Sequence, residues 1–182
     1  MQYEVDMKAL CALVHLAGKS DIRFYLNGVC VEFREAETVY VATDGKVLGS
    51  YKVPQRNENP RDVIIPRDVI ERVKLHKTHQ DAVLSIGDDG AARLVYAAQN
   101  VDVGFKPLEG VFPAWRRVVP TEVSNEPGNY DVELLSKFVK VNKIFGATWL
   151  GHVLLRQNGE KGPALVSLKD DAFQGAIMPF RV

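Results

Sequence analysis

Apolar positions along the chain follow two spacings, one suited to helices and one to strands, and the two alternate in a repeating order. Residues 7–18 are apolar almost all round and predict a buried helix. Its few polar positions, Lys8, His15 and Lys19, are spaced seven and four apart and fall on one side. Ile22, Phe24 and Leu26 then alternate with Arg23 and Tyr25, which predicts a half-buried strand. Asn27-Gly28 reads as a hairpin turn, with Val29, Val31 and Phe33 alternating on the return. Residues 39–42 predict another strand, Asp44-Gly45 a turn, residues 47–53 a further strand, and residues 54–61 a polar loop.

The pattern restarts at Val63-Ile64-Ile65, a short strand. Pro66 suits a helix start, and residues 67–77 read as a helix carrying Arg67, Arg72, Lys74 and Lys77. Strands are expected at 82–86, 91–97 and 100–106, with Gly87-Asp88-Asp89-Gly90 as a turn. A third round opens at Tyr130. Its helix, 132–145, would bury Leu134, Leu135, Phe138, Val141 and Phe145, with Lys137, Lys140 and Lys143 opposite. Strands fit 152–157, 163–169 and 172–178. One helix followed by about three strands thus occurs three times with little residue identity, which points to a duplicated architecture. The expected class is α+β with antiparallel strands. Residues 1–120 would hold two units, 121–129 a linker and 130–182 a single unit.

Between the second and third rounds lies Phe112-Pro113-Ala114-Trp115-Arg116-Arg117-Val118-Val119-Pro120. The prolines fix φ and remove donors, so an extended, rigid connection is expected. Its Trp and Arg residues suit either a core-sealing linker or a surface that holds a partner.

Composition narrows the function classes. Lys plus Arg equal Asp plus Glu at 23 each, so positive charge for nucleic acid must be local rather than global. No apolar run reaches membrane-spanning length, and Met1–Leu10 lacks the pattern of a secretion signal, so a cytoplasmic protein is expected. Cys11 and Cys30 fall in apolar patterns and read as buried free thiols. No Gly-rich phosphate loop or nucleophile–base arrangement is present. His76-x-x-His79 lacks a third ligand, so neither a metal nor a cofactor is expected. The lysine-striped helices have two readings: amines that meet phosphates without reading bases, or lysines that only solvate an exposed face.

Five segments in one order carry a resemblance: Asp21-Ile22-Arg23-Phe24-Tyr25-Leu26-Asn27-Gly28, Val41-Ala42-Thr43-Asp44-Gly45, Val63-Ile64-Ile65-Pro66-Arg67, Phe112 to Pro120, and Ile177-Met178-Pro179-Phe180-Arg181-Val182. Together they resemble the bacterial beta sliding clamp family, the processivity subunit of DNA polymerase III. Residues 1–120 resemble its middle domain, and residues 128–182 the second half of its last domain. The resemblance implies a non-catalytic DNA-clamp fold, with helices facing duplex DNA and sheets outside. It also implies a pocket for a short, mostly apolar peptide motif of polymerases and repair proteins. That pocket would fall on Arg23, Leu26, Thr43, Gly45, Leu48, Pro113, Arg117, Val118, Ile177, Met178, Pro179, Phe180 and Arg181. Sequence-independent DNA contacts would fall on Lys8, Lys19, Arg67, Lys74, Lys137, Lys140 and Lys143.

The chain departs from the family pattern in three places. Lys46-Val47-Leu48 stands where the family commonly has His-Arg-Leu, removing one basic contact. Ala114-Trp115 replaces an acidic–aromatic pair, which puts local polar contacts in question. The third unit lacks a mate, which should leave an open apolar face or sheet edge. Two chains pairing their third units would restore one, and three units per chain would close a twelve-unit ring with about four chains. Two functions fit: a short sliding clamp, or a peptide-binding decoy or adaptor that competes for clamp partners without encircling DNA.

Overall fold

The computed structural model describes residues 1–146 and 152–180. The chain opens with β1 (Gln2–Asp6), α1 (Met7–Leu13), β2 (Gly28–Phe33), β3 (Glu37–Thr43) and β4 (Val47–Pro54). It continues with β5 (Arg61–Pro66), α2 (Arg67–Glu71), β6 (Asp81–Ile86), β7 (Ala92–Tyr96) and β8 (Val101–Phe105). The third round is α3 (Val132–Ile144), β9 (Leu154–Arg156), β10 (Ala164–Ser167) and β11 (Phe173–Ile177). All strand pairs are antiparallel, in two sheets ordered β1-β6-β7-β8 and β5-β2-β3-β4-β11-β10-β9.

The order of the sheets shows how the repeats are joined. The first two units each read strand, helix, three strands, and each lends its first strand to the other: β1 pairs with β6, and β5 pairs with β2. The third unit joins differently. Its last strand, β11, pairs with β4 from Phe173↔Tyr51 to Ile177↔Val47, and α3 packs beside α1. The strands meet at Gly49↔Gly175. A Cβ on Gly49 would lie 2.3 Å from Leu16 Cδ1, and one on Gly175 would lie 2.9 Å from Phe138 Cε1, so both glycines let helices sit close to the sheet. One apolar core runs under all three helices, from Leu10 and Leu13 through Ile70 to Phe138 and Phe173.

Several expectations are corrected. Phe24–Leu26 is a 3-10 turn, not a strand, and Asn27-Gly28 is no hairpin. Asn27 accepts from the Asp21 amide (2.8 Å) and donates to its carbonyl (2.9 Å), folding residues 21–27 on themselves. Gly28 instead opens β2, where a Cβ would lie 2.4 Å from the Ile65 carbonyl oxygen. The first helix stops at Leu13 and continues as a 3-10 turn to Leu16, so Lys19 lies beyond it. The second helix ends at Glu71 rather than residue 77. The Tyr96 hydroxyl accepts from the His76 amide (2.9 Å) and donates to the His79 carbonyl (2.5 Å), drawing that stretch out of helical form. Strand β1 was absent from the expectations. Only Tyr3 and Val5 are buried along it, too short an alternation to stand out.

Candidate functional site

The Phe112–Pro120 segment is a strap rather than an extended link. Trp115–Arg117 forms a 3-10 turn against the face of the large sheet that points away from the helices. Trp115 and Val119 are buried there with Cys30, Val41, Leu48, Leu165 and Ala176, so the strap covers strands of the first and third units together. Glu32 anchors it. This buried carboxylate accepts from Trp115 Nε1 (2.8 Å) and from Arg116 (2.7 Å), and it also faces Arg34 at 3.3 Å. Arg116 stacks over the Trp115 ring, 4.3 Å from its centroid. Three donors around one buried carboxylate satisfy a charge that would otherwise be costly to bury. The Ala114-Trp115 departure therefore retains a polar contact through the indole.

Beside the strap, the β4–β11 junction opens into two adjoining clefts. The smaller is lined by Thr43, Gly45, Lys46, Leu48, Val118 and Met178, with Pro163 and Ala176 closing it. The larger, about 300 Å³, is lined by Lys46, Asp131, Leu134, Met178, Pro179 and Phe180. Lys46 and Met178 line both, and the Met178 amide donates to the Lys46 carbonyl at 2.8 Å. Phe180 is 60% exposed and Val118 42% exposed, so apolar surface is already on offer. Thr43 braces the turn beneath them: its hydroxyl donates to the Val47 carbonyl (2.6 Å) and accepts from the Gly45 amide (3.0 Å). Gly45 sits at φ +90, a conformation that favours glycine.

Arg23 stands at the rim. A Cβ on Gly45 would lie 2.9 Å from its guanidinium, which donates to the Asp44 carbonyl (3.3 Å) and to both Asp21 carboxylate oxygens. Those bonds hold the Asp21 carboxyl down to about 2. Next to it, Ile22 is 95% exposed and Phe24 52% exposed. Lys137 on α3 pairs with Asp44, tying the third unit to the same turn.

Of the residues expected in the pocket, Thr43, Gly45, Leu48, Val118, Met178, Pro179 and Phe180 line these clefts, and Arg23 borders them. Leu26 and Ile177 are buried and do not line them. Pro113 and Arg117 are exposed on the strap, outside both linings, and Arg181 lies outside the described residues. Lys46, Asp131, Leu134, Pro163 and Ala176 were not anticipated. Leu134 was legible only as a core position of its helix, because its place depends on where α3 docks. A wider hollow, about 600 Å³, lies elsewhere, and its walls mix charged Arg61, Asp62, Lys106 and Glu109 with apolar Ile64, Leu108 and Phe112.

The basic residues divide into engaged and open groups. Arg67 donates to the carbonyls of Val14 (2.8 Å), Ala17 (3.0 Å) and Gly18 (3.4 Å) and pairs with Glu71, so it caps the end of the first helical segment. Lys137 is held by Asp44. Lys8 lies 5.8 Å from the centroid of the Phe145 ring, on the side where α1 meets α3. Lys19, Lys74, Lys140 and Lys143 are exposed, although Lys19 and Lys74 lie past the ends of their helices. His15 is pushed down by burial first and then by the nearby charges of Lys140 and Arg67, with Glu71 opposing. Lys8, His15 and Lys140 thus lie on the side where α1 and the 3-10 turn after it meet α3.

Among the described residues, no group of three or more His, Cys, Asp or Glu side chains is arranged to hold a metal, and no helix is long and apolar enough to cross a membrane. Cys11 and Cys30 are free thiols. Burial raises Cys11 to about 11 and also pushes Cys30 up.

Comparison with known proteins gives a consistent picture. Residues 4–114 match the family model of the DNA polymerase III beta subunit, central domain. The beta sliding clamp of Escherichia coli K12 is 34% identical over 109 residues, covering 55% of this chain and 27% of the relative. That of Pseudomonas putida is 30% identical over 104 residues, covering 56% and 28%. The matches therefore span about a quarter of those relatives' length. In three dimensions, a Pseudomonas aeruginosa DNA polymerase sliding clamp superposes with TM-score 0.75 at 19% identity, covering all of this chain and 66% of that one. The H. pylori beta clamp gives 0.78 at 13% identity over the same shares, which speaks to the fold alone.

Proposed function

Because the chain belongs to the family of the DNA polymerase III beta subunit, central domain, we propose that it works as a non-catalytic sliding clamp. It recruits polymerases or other clamp-motif proteins through an apolar peptide site and contacts duplex DNA without reading sequence. The observation that carries this reading is the cleft at the β4–β11 junction. Leu48 and Val118 come from one side, Met178, Pro179 and Phe180 from the other, and Arg23 and Lys46 stand at the edge. An apolar trough with adaptable Met and a few cationic groups suits a short hydrophobic peptide with a carboxylate or exposed carbonyls. The DNA side rests on Lys8, Lys140 and Lys143, with Lys19 and Lys74 as flanking amines. Arg67 and Lys137 serve mainly as structural ties.

The third unit exposes Val132 (77%) and Leu154 (61%), which supports pairing of third units between chains and an oligomer of two or about four copies. One preparation tests both activities. An apolar clamp-motif peptide should bind the wild-type chain, and Met178→Ala with Phe180→Ala should abolish that binding while the melting curve stays unchanged. Closed circular duplex should be retained in a salt-sensitive way and lost when Lys8, Lys140 and Lys143 become Glu. Unchanged peptide affinity would move the site elsewhere. Peptide binding without DNA retention would leave an adaptor in place of a clamp.

A further inference from the structure

The two sheets treat their outer strands unequally. Strand β1 is covered on its free side, where Gln55 Nε2 donates to the Glu4 carbonyl (3.0 Å) and the Tyr40 hydroxyl accepts from the Asp6 amide (2.7 Å). Strand β5 is met by the Leu108 amide, which donates to the Ile64 carbonyl at 3.0 Å. Beyond the end of β9, Asn125 donates to the Gln157 carbonyl (3.0 Å) and Gly159 to the Glu126 carbonyl (2.9 Å). Among the described residues the free side of β9 itself meets no backbone hydrogen bond, and neither does that of β8, which pairs only with β7. Strand β8 carries no Lys or Pro, the residues that commonly guard a bare edge.

The internal repeat indicates what belongs there. Each unit places three strands after its helix, and β4, β8 and β11 are the third strands of the three units. Two of these already pair with each other, as β4 with β11. The third strand of the second unit is left over, at the edge of the four-stranded sheet, while β9 edges the seven-stranded one.

We propose that β8 pairs antiparallel with β8 of a second copy about a two-fold axis, repeating the β4–β11 type of junction between chains. The strand is self-complementary when the axis passes through Val103. Val103 then faces its own copy. Val101 meets Phe105 of the partner subunit on the half-buried face that packs toward the core, a favourable β-branched–aromatic pair. On the outer face Asp102 falls opposite the partner's Gly104, so the two carboxylates do not oppose each other. Asp102 is already paired with Arg93 of its own β7. Such a contact is isologous and closes on itself. Along the chain, exchanged pairs and third-strand junctions alternate, so β8–β8 pairing would supply the second contact type that a ring of third-unit pairs requires. The inference stands independently of peptide or DNA binding.

Position 104 offers a clean test. A Cβ there meets nothing within 4 Å, so the monomer accommodates a side chain. Gly104→Glu sets a carboxylate opposite the partner's Asp102, whereas Gly104→Lys sets an amine there. Sedimentation equilibrium over a concentration series, with melting curves as the folding control, should show the wild type self-associating. Gly104→Glu should weaken association about tenfold, and Gly104→Lys should preserve or tighten it. A strictly monomeric wild type would overturn the proposal. So would an oligomer indifferent to Gly104→Glu, or one weakened equally by both substitutions.

Discussion

The first two units and the third unit are built from the same parts but held in place by different means. Units one and two exchange strands, β1 into the sheet of the second unit and β5 into that of the first, so neither can separate without breaking a full ladder in each sheet. The third unit exchanges nothing. It is held by one strand junction, the α1–α3 contact, the Lys137–Asp44 pair and the strap over the back of the sheet. The difference teaches where the binding surface can form. An exchanged pair has a closed seam. A docked unit leaves a furrow along its junction, and the apolar cleft lies in that furrow.

The sharpest way to break the comparison is Trp115→Ala. It removes a buried indole that spans both sides of the junction and leaves the Glu32 carboxylate one donor short. The expected cost is about 3–5 kcal/mol, from lost burial and a cavity. Hydrogen exchange should show the loss concentrated in β9, β10 and β11, with β1 and β6 still protected. Equal loss of protection in both sheets would mean that the third unit is as firmly built in as the other two.

A smaller effect concerns His15. Its depressed pKa means the unfolded state binds a proton more readily near the ordinary histidine value of about 6.5. The contribution is therefore present above that pH and is lost as pH falls through the window below it. A polyanion lying over Lys140 and the α1–α3 face should offset the cationic repulsion and raise the His15 pKa. NMR titration with and without a short duplex measures this. No change on adding DNA would place the duplex away from the α1–α3 face.

Much of this organisation was legible in the sequence. Strands β3, β4 and β6 to β8 and helix α3 fall within a residue or two of their periodic patterns, because burial on one face imposes the pattern directly. The errors share a cause. At 22–26 the alternation marked no buried face: only Leu26 is buried, Ile22 and Phe24 face solvent, and the Asp21 and Asn27 side chains set the local conformation. At 72–77 the helical pattern gave way to the Tyr96 hydroxyl, a distant group that captured the backbone. The candidate site divides in the same way. Thr43-Asp44-Gly45 and Met178-Pro179-Phe180 were recognisable as local segments. Lys46, Leu134 and Pro163 join them only because β11 pairs with β4, a register with no local signal.

The central claim is that both sides of the β4–β11 junction bind one peptide together. Methyl NMR reports this directly, using Leu48 and Val118 on one side and Leu134 and Met178 on the other. On titration with an apolar clamp-motif peptide, all four should shift along a single binding curve, while Val5 and Leu84 in the exchanged core stay still. Shifts confined to one side, or centred on the hollow beside Lys106 and Glu109, would contradict it.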